Sequence, residues 1–547
     1  MSSDFLAFYF VRHCTRHVWT VWLRGAPEDE PHHLVSMGLI ESNKPTYRSS
    51  SGRPASDTWF RNWILGFSCA LIVTTAWSLA SPVGSAPDSA FHLASIWCSD
   101  TASLGSCPII ETIPDHERAY LPVELIYPSC FQPLPNGSTA CEIGLSDHGL
   151  ASVRPNQLTN LNPSGFYSAL GAVAGEPINQ RVVLMRTLSG AFAVTLISLS
   201  ALLLHARERA RFIFIATAMH IPLGLFFAAS INSSGAATAA VISAVPLGLR
   251  LQRARGAAEL LALVSGSFLL IWIATGIRKE TYLFVALIIT TLIAPRIIDL
   301  YRRAQRRGMV RIGLIVTCMV AFSQLSGTIG FIRAVLRGFL RSSPESEIGV
   351  GLILNNGIGV FLLWTAAVGG GAPKDVAGLG QLDVAVSPLV PALVVTAIVL
   401  TIFRSQRETV QRSWIPAFAL IWVAWLLPFW TLTVSGLHVG EQLQPRYILP
   451  ILAAGVILAA LGETPSDAKW RPIGRFELIS LVVAHSLALQ AVISHYSFRG
   501  STLGAKLRAT PAWEWSVIDP RMNWVVGTFA FAVFASTLRS AGKHDIY

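Results

Sequence analysis

Stretches of about 20 residues with few or no charges recur along almost the whole chain, and each is long enough to cross a bilayer as a helix. Inside hydrocarbon every backbone N–H and C=O must be bonded internally, so such a chain can be a helical bundle or a closed barrel. Barrel strands alternate apolar and polar residues, and these runs do not. The sequence is therefore read as an all-α polytopic membrane protein. Its 13% charged content agrees, since soluble domains carry roughly a quarter. The net charge of +11 does not call for a nucleic-acid partner. The Lys and Arg residues fall in short clusters between apolar runs, as the positive-inside rule expects of loops facing the cytoplasm.

The clusters set the topology. RERAR (207–211), RLQRAR (250–255), YRRAQRRGMVR (301–311), FRSQRETVQR (403–412) and DAKWRPIGR (467–475) are assigned to the cytoplasmic side. Residues 1–58 are polar and mixed and are read as a cytoplasmic, mostly disordered tail. They carry no signal-peptide pattern, and Met37 is an alternative start nearer the first span. Residues 59–80 form the first span, and residues 81–180 then lie outside. Residues 181–538 form a multi-span bundle, with candidate spans at 182–204, 212–230, 235–250, 257–276, 281–299, 310–330, 387–403, 414–434, 446–462, 475–495 and 522–538. Residues 539–547 make a cytoplasmic tail. The run 349–369 lies between two cytoplasmic clusters where parity permits an even number of crossings. It is expected to be re-entrant, to lie in the membrane without crossing, or to pair with the amphipathic stretch 331–341. The total is about 12 crossings. The expected location is the plasma membrane, with a cytoplasmic N-terminus.

Four of the seven cysteines, Cys98, Cys107, Cys130 and Cys141, fall in the external loop. An oxidising location makes disulfides the expected state. Pairing of near neighbours, 98 with 107 and 130 with 141, is one of three connectivities, and short loops close most easily. CxxC-like zinc spacing is absent, and no metal site is assigned. The loop is rich in Pro, Asn, Gly and aromatic residues and is expected to form a small ordered layer over a cavity.

Polar residues with chemical potential gather at the external ends of spans. Asp88 and His92, in SPVGSAPDSAFH (81–92), follow the first span. A helix starting there would make Asp88 an N-cap and place His92 on the same face. Asp88 is then either a helix cap or a general base for a hydroxyl acceptor. Arg278 and Lys279, in GIRKETY (276–282), are external cations suited to phosphate, or else lipid anchors or partners of Glu280. Glu441, Arg446 and Tyr447 stand together in GEQLQPRYILP (440–450), with Arg446 a candidate for an anionic ligand and Tyr447 an interfacial residue. Asn232 lies in the tight turn of AASINSSGAA (228–237). Nucleotide-binding and zinc-hydrolase motifs are absent, so no cofactor is indicated and a divalent metal is left open.

In order, these pieces resemble the bacterial membrane family called domain of unknown function 2142. PDSAFH (87–92) is similar to that family's P-D-E-x-x-H signature after the first span. NPSGFYSALGAVAG (162–175), RVVLMRTLSGAFAV (181–194), IPLGLFFAASINSSG (221–235) and QPRYILP (444–450) follow in the family's order, and the likeness spans residues 60–538. Ser89 stands where the family usually has Glu, and Pro445 where it has Gly. The family looks related to membrane glycosyltransferases of the C-type fold, which take a sugar from a polyprenyl-phosphate lipid on the outer face of the membrane. The resemblance implies that Asp88 serves as base and that Arg446, with Arg278 and Lys279, meets the lipid phosphate. The implied partners are the bilayer and a polyprenyl-phosphate-linked sugar. The rival readings are a flippase of lipid-linked sugars and a non-catalytic envelope-assembly protein; the flippase predicts buried mid-membrane charges and repeated broken helices. The oligomeric state is not legible.

Overall fold

The structure is a computed structural model that describes residues 55–99, 109–113, 116–122, 125, 150–153, 165–175, 177–304, 349–369, 379, 384–406, 414–440, 443–461, 473–497 and 518–544. Among the described residues the membrane-type part is made of helices, with one isolated bridge between Leu379 and Val384. It comprises α1 (Ala55–Ser78), α4 (Ile178–Ala201), α5 (Ala206–His220), α6 (Leu223–Ala228), α7 (Ser233–Arg253), α8 (Ala257–Ile277) and α9 (Lys279–Ala304). After these come α10 (Val350–Gly369), α11 (Leu389–Gln406), α12 (Trp414–Val434), α13 (Pro445–Leu461), α14 (Arg475–Ser497) and α15 (Pro520–His544). Two short helices, α2 (Ser89–Trp97) and α3 (Gly165–Gly171), belong to the long loop after α1. Among the described residues, α4, α7, α8, α10, α12 and α14 are six helices long and apolar enough to cross a membrane.

The centre of the bundle is made by α7 and α13. Nearly every residue of SSGAATAAVISAVPLGL and PRYILPILAAGVILAAL is buried. Runs of Ala, Gly and Ser let neighbouring backbones approach closely, which is how helices gain packing where lipid supplies no hydrophobic drive. Around this pair α1 packs on α15, α12 on α13, α9 on α7, and α11 on α14. The peripheral helices leave large apolar side chains outward, among them Trp272 on α8 and Ile415 and Trp430 on α12. In water such a surface is a liability; against lipid tails it is neutral.

Two expectations are altered by the fold. The run 212–230 is not one helix: α5 stops at His220 and α6 starts at Leu223. Pro222 lies at the break, where its missing N–H and its ring bar a continuous ladder. The run 349–369 forms a continuous 20-residue helix, α10, and the stretch 331–341 with which it could pair lies outside the described residues. The chain is also not purely helical. The long loop carries a three-stranded antiparallel sheet, β1 (Ile109–Ile113), β2 (His116–Pro122) and β3 (Leu150–Val153), in that order. Cys98, the C-cap of α2, is disulfide-bonded. Cys69 is buried and free, and Cys107, Cys130 and Cys141 lie outside the described residues. Residues 1–54 and the run 310–330 also lie outside them.

The loop layer has its own small core. Leu93, Ile96 and Trp97 of α2 and Tyr167 and Leu170 of α3 pack with Met185 of α4 and Ile231 before α7. This core seats the layer on one end of the bundle. The opposite end is tied by cations. Arg253 pairs with Glu208 at 2.7 Å, and Arg296 donates to the carbonyls of Leu251, Gln252 and Ala254 at the end of α7, where a cation meets the helix dipole.

Candidate functional site

The turn after α1 is built around a buried arginine. Arg186 of α4 donates to the carbonyls of Ser81 at 2.7 Å and Pro82 at 2.6 Å. Ser85 donates to Ser81 at 2.7 Å, and Gly84 takes a left-handed φ of 83°. The Asn232 amide holds the far side of the turn, donating to the Pro87 carbonyl at 3.2 Å. Its other end accepts from the Ser234 N–H at 2.9 Å and caps α7. Asn232 is thus a positioning residue between the turn and the central helix.

Asp88 follows with φ 59° and ψ 21°. It is the one described non-glycine residue in the left-handed region, which Asp tolerates better than most side chains. It occupies the N-cap of α2 but makes no capping bond with its side chain. Instead Asp88 Oδ2 accepts from Arg446 Nη2. The capping explanation of Asp88 therefore fails, because the carboxylate is turned away from the helix it precedes. About half of its surface (52%) is exposed, whereas Arg446 is almost wholly buried at 3%.

Arg446 is the second residue of α13, after Pro445 at the first helical position, where a missing N–H costs nothing. A cation in the first turn of a helix is opposed by the helix dipole, and burial adds a desolvation cost. An anion is therefore needed there. Asp88 supplies one through a single nitrogen. Arg446 Nη2 also donates to the Tyr447 hydroxyl at 3.0 Å. The guanidinium carbon lies 5.4 Å from the Phe227 ring centre and 5.0 Å from that of Tyr447. Arg446 Nε and Nη1 are buried and have no hydrogen-bond partner among the described residues.

Arg278 approaches the same tyrosine. It ends α8, donates to Ser234 Oγ at 2.9 Å, sits 3.9 Å from Glu280 Oε2, and lies 5.3 Å from the Tyr447 ring centre. Lys279 opens α9; Glu441 lies outside the described residues.

His92 is placed behind the ion pair. Its Nδ1 is 2.6 Å from the Tyr167 hydroxyl, which also bonds Ser233. Burial pushes its pKa down to about 3; nearby Asp88 acts against this, and Arg446 and Arg278 act with it. The ring is therefore neutral at physiological pH and locked into the α2–α3–α7 junction. Burial likewise raises the pKa of Tyr167. Both shifts place these groups in the electrostatic neighbourhood of Asp88, Arg446 and Arg278.

The structure thus brings Asp88, His92, Asn232, Arg278, Arg446 and Tyr447 to one end of the bundle. Four contributors were not singled out in the sequence: Arg186, Tyr167, Phe227 and Ser234 as an arginine acceptor. Each lies in a stretch that drew notice, but nothing in a single sequence separates a packing aromatic or span-end arginine from one that shapes a site. Among the described residues no three His, Cys, Asp or Glu side chains gather as a metal site would require.

The sequence that builds this geometry falls within a known family. The profile described as predicted membrane protein, domain of unknown function 2142, matches residues 71–454. The chain belongs to that family. No curated protein and no solved structure matches the chain. The family's matched stretch runs from within α1 to within α13, so it contains both Asp88 and Arg446 and every residue between them that builds the site.

Proposed function

We propose that this member of the domain of unknown function 2142 family is a membrane glycosyltransferase with about 12 spans and a C-type-like fold. It moves a sugar from a polyprenyl-phosphate donor to a cell-envelope acceptor on the external face. The observation that carries this reading is Arg446: a buried guanidinium with two unpartnered nitrogens beside a half-exposed carboxylate. The N–H groups left over from the ion pair can donate to a phosphate oxygen and stabilise the charge that develops on it as a leaving group.

The acceptor oxygen forms a bond to the anomeric carbon as the bond from that carbon to the phosphate oxygen breaks. The hydroxyl proton passes to Asp88, the electron pair of the broken bond stays on the phosphate oxygen, and the charge of the departing lipid phosphate is met by the free N–H groups of Arg446, assisted by Arg278. Attack opposite to the leaving group inverts the anomeric centre. His92 and Tyr167 take no proton in this scheme; they hold α2 and so aim Asp88. No step calls for a metal.

Among the described residues, buried charges elsewhere do not favour a transport path. Glu208 pairs with Arg253, Glu477 pairs with Arg404, and Arg211 donates to a carbonyl at the end of α13, all near helix ends. The deciding experiment reconstitutes the full chain in proteoliposomes with a radiolabelled polyprenyl-phosphate sugar. Transfer of label to an acceptor supports the enzyme. Movement of intact labelled lipid between leaflets, with no transfer, supports the flippase.

A further inference from the structure

A cleft whose lining includes none of the residues around the ion pair runs between α1, α4, α5 and α15, with α6 closing its upper end. It consists of two adjoining cavities of about 80 Å³ and about 70 Å³ that share Ala70, Ser198, Ile213 and Phe534. Together they approach the volume of an engineered apolar cavity that holds benzene, about 150 Å³. The upper one is lined by Val73, Val194, Ile197 and Phe531, and also by His220. The lower one is lined by Trp63, Phe67 and Leu538, with Asn62, Arg209 and Thr537 as polar members of its wall. From Thr74 to Asn62 the cleft follows α1 for about 18 Å at 1.5 Å per residue.

His220 gives the cleft its chemistry. Its Nδ1 lies 2.7 Å from the Ala216 carbonyl, which can only accept, so Nδ1 carries the proton. Nε2 is therefore a bare acceptor. It is buried without a hydrogen-bond partner among the described residues, in a ring that is 4% exposed. An acceptor in that position requires a donor. The apolar walls select a hydrocarbon, and the imidazole selects a hydroxyl at its end.

We propose that this cleft binds a lipid alcohol, a single hydrocarbon chain whose terminal hydroxyl donates to His220 Nε2 and whose tail runs beside α1 towards Asn62. Thr74 is one turn below the end of α1, so the hydroxyl sits just inside the membrane and the tail descends from it. The site stands independently of glycosyl transfer.

The test uses the full chain in phosphatidylcholine vesicles and a hexadecanol bearing a mid-chain diazirine. Photolabelling is expected on cleft residues such as Val73, Ile213 and Phe534. Unlabelled hexadecanol is expected to compete about tenfold better than hexadecane, the margin of one net hydrogen bond. In His220→Phe the two competitors should become equal. Equal competition in the wild-type protein overturns the proposal, as does label confined to outward residues of α8 and α12. The wild-type competition decides the matter even if His220→Phe fails to fold. A cleft that only holds water at Nε2 would show no preference for the alcohol.

Discussion

Asp88 and Arg446, 358 positions apart in the chain, meet through one carboxylate oxygen and one guanidinium nitrogen, with the arginine buried and the aspartate half exposed. The asymmetry gives an unequal pair of substitutions. Asp88→Asn strands a buried cation in the first turn of α13 and should cost about 2–3 kcal/mol, below the usual 3–5 for a fully buried pair because Asn still accepts a hydrogen bond. Arg446→Gln leaves a carboxylate that water can reach and should cost about 1 kcal/mol or less. Thermal unfolding in detergent checks the order, and the double substitution should recover most of the Asp88→Asn loss.

His92 predicts an acid sensitivity of the fold. Its folded pKa is about 3, against an ordinary value of 6.5. The unfolded chain therefore binds the proton first. This contribution is constant above about pH 6.5, and stability falls by up to about 1.4 kcal/mol per pH unit as the pH drops towards 3. His92→Asn keeps a polar partner for Tyr167 and removes the titration. Unfolding midpoints measured from pH 7 to pH 4.5 should converge for the two proteins as the pH falls.

Gly235 is where α7 touches α6. A Cβ there would meet the Ala228 backbone at 2.4 Å and that of Phe227 at 2.5 Å. Gly235→Ala must push α6 away and with it the Phe227 ring over Arg446, at a cost of about 1–3 kcal/mol. Gly351 in α10 has nothing within 4 Å, so Gly351→Ala should stabilise by about 0.5–1 kcal/mol. Parallel thermal melts separate the two.

Cys98, at the end of α2 in the loop layer, is disulfide-bonded. Cys98→Ser should lower stability by about 2–4 kcal/mol and should make the unfolding midpoint insensitive to reductant at this position. Peptide mapping under non-reducing conditions identifies the partner, with Cys107 expected.

The membrane class was legible because hydrocarbon permits so few backbone solutions, and the ends of α7, α8, α12 and α14 fell within a few residues of the apolar runs. The break at Pro222 and the strands in the loop were not legible. One apolar run masks a proline interruption, and the strand segments are short, with β3 paired to β2 across a long stretch of loop. Asp88 and Arg446 were both legible as candidates, since each is a charge at the end of an apolar run. Their contact was not, because pairing across 358 positions leaves no trace in one sequence. His92 was legible as a partner of Asp88, but its actual partner is Tyr167. Helical spacing put His92 on the Asp88 face, and the left-handed turn at Asp88 removed that side chain from the helix face altogether.

The most direct measurement is single-turnover sugar transfer from a polyprenyl-phosphate donor by the wild-type protein, Asp88→Asn and Arg446→Lys in proteoliposomes. Asn tolerates the left-handed backbone at position 88, and Lys keeps the charge at 446 but not the fork. The account predicts transfer by the wild type, a loss of at least about 100-fold in Asp88→Asn, and a comparable loss in Arg446→Lys. Transfer at the wild-type rate in both folded variants would contradict it.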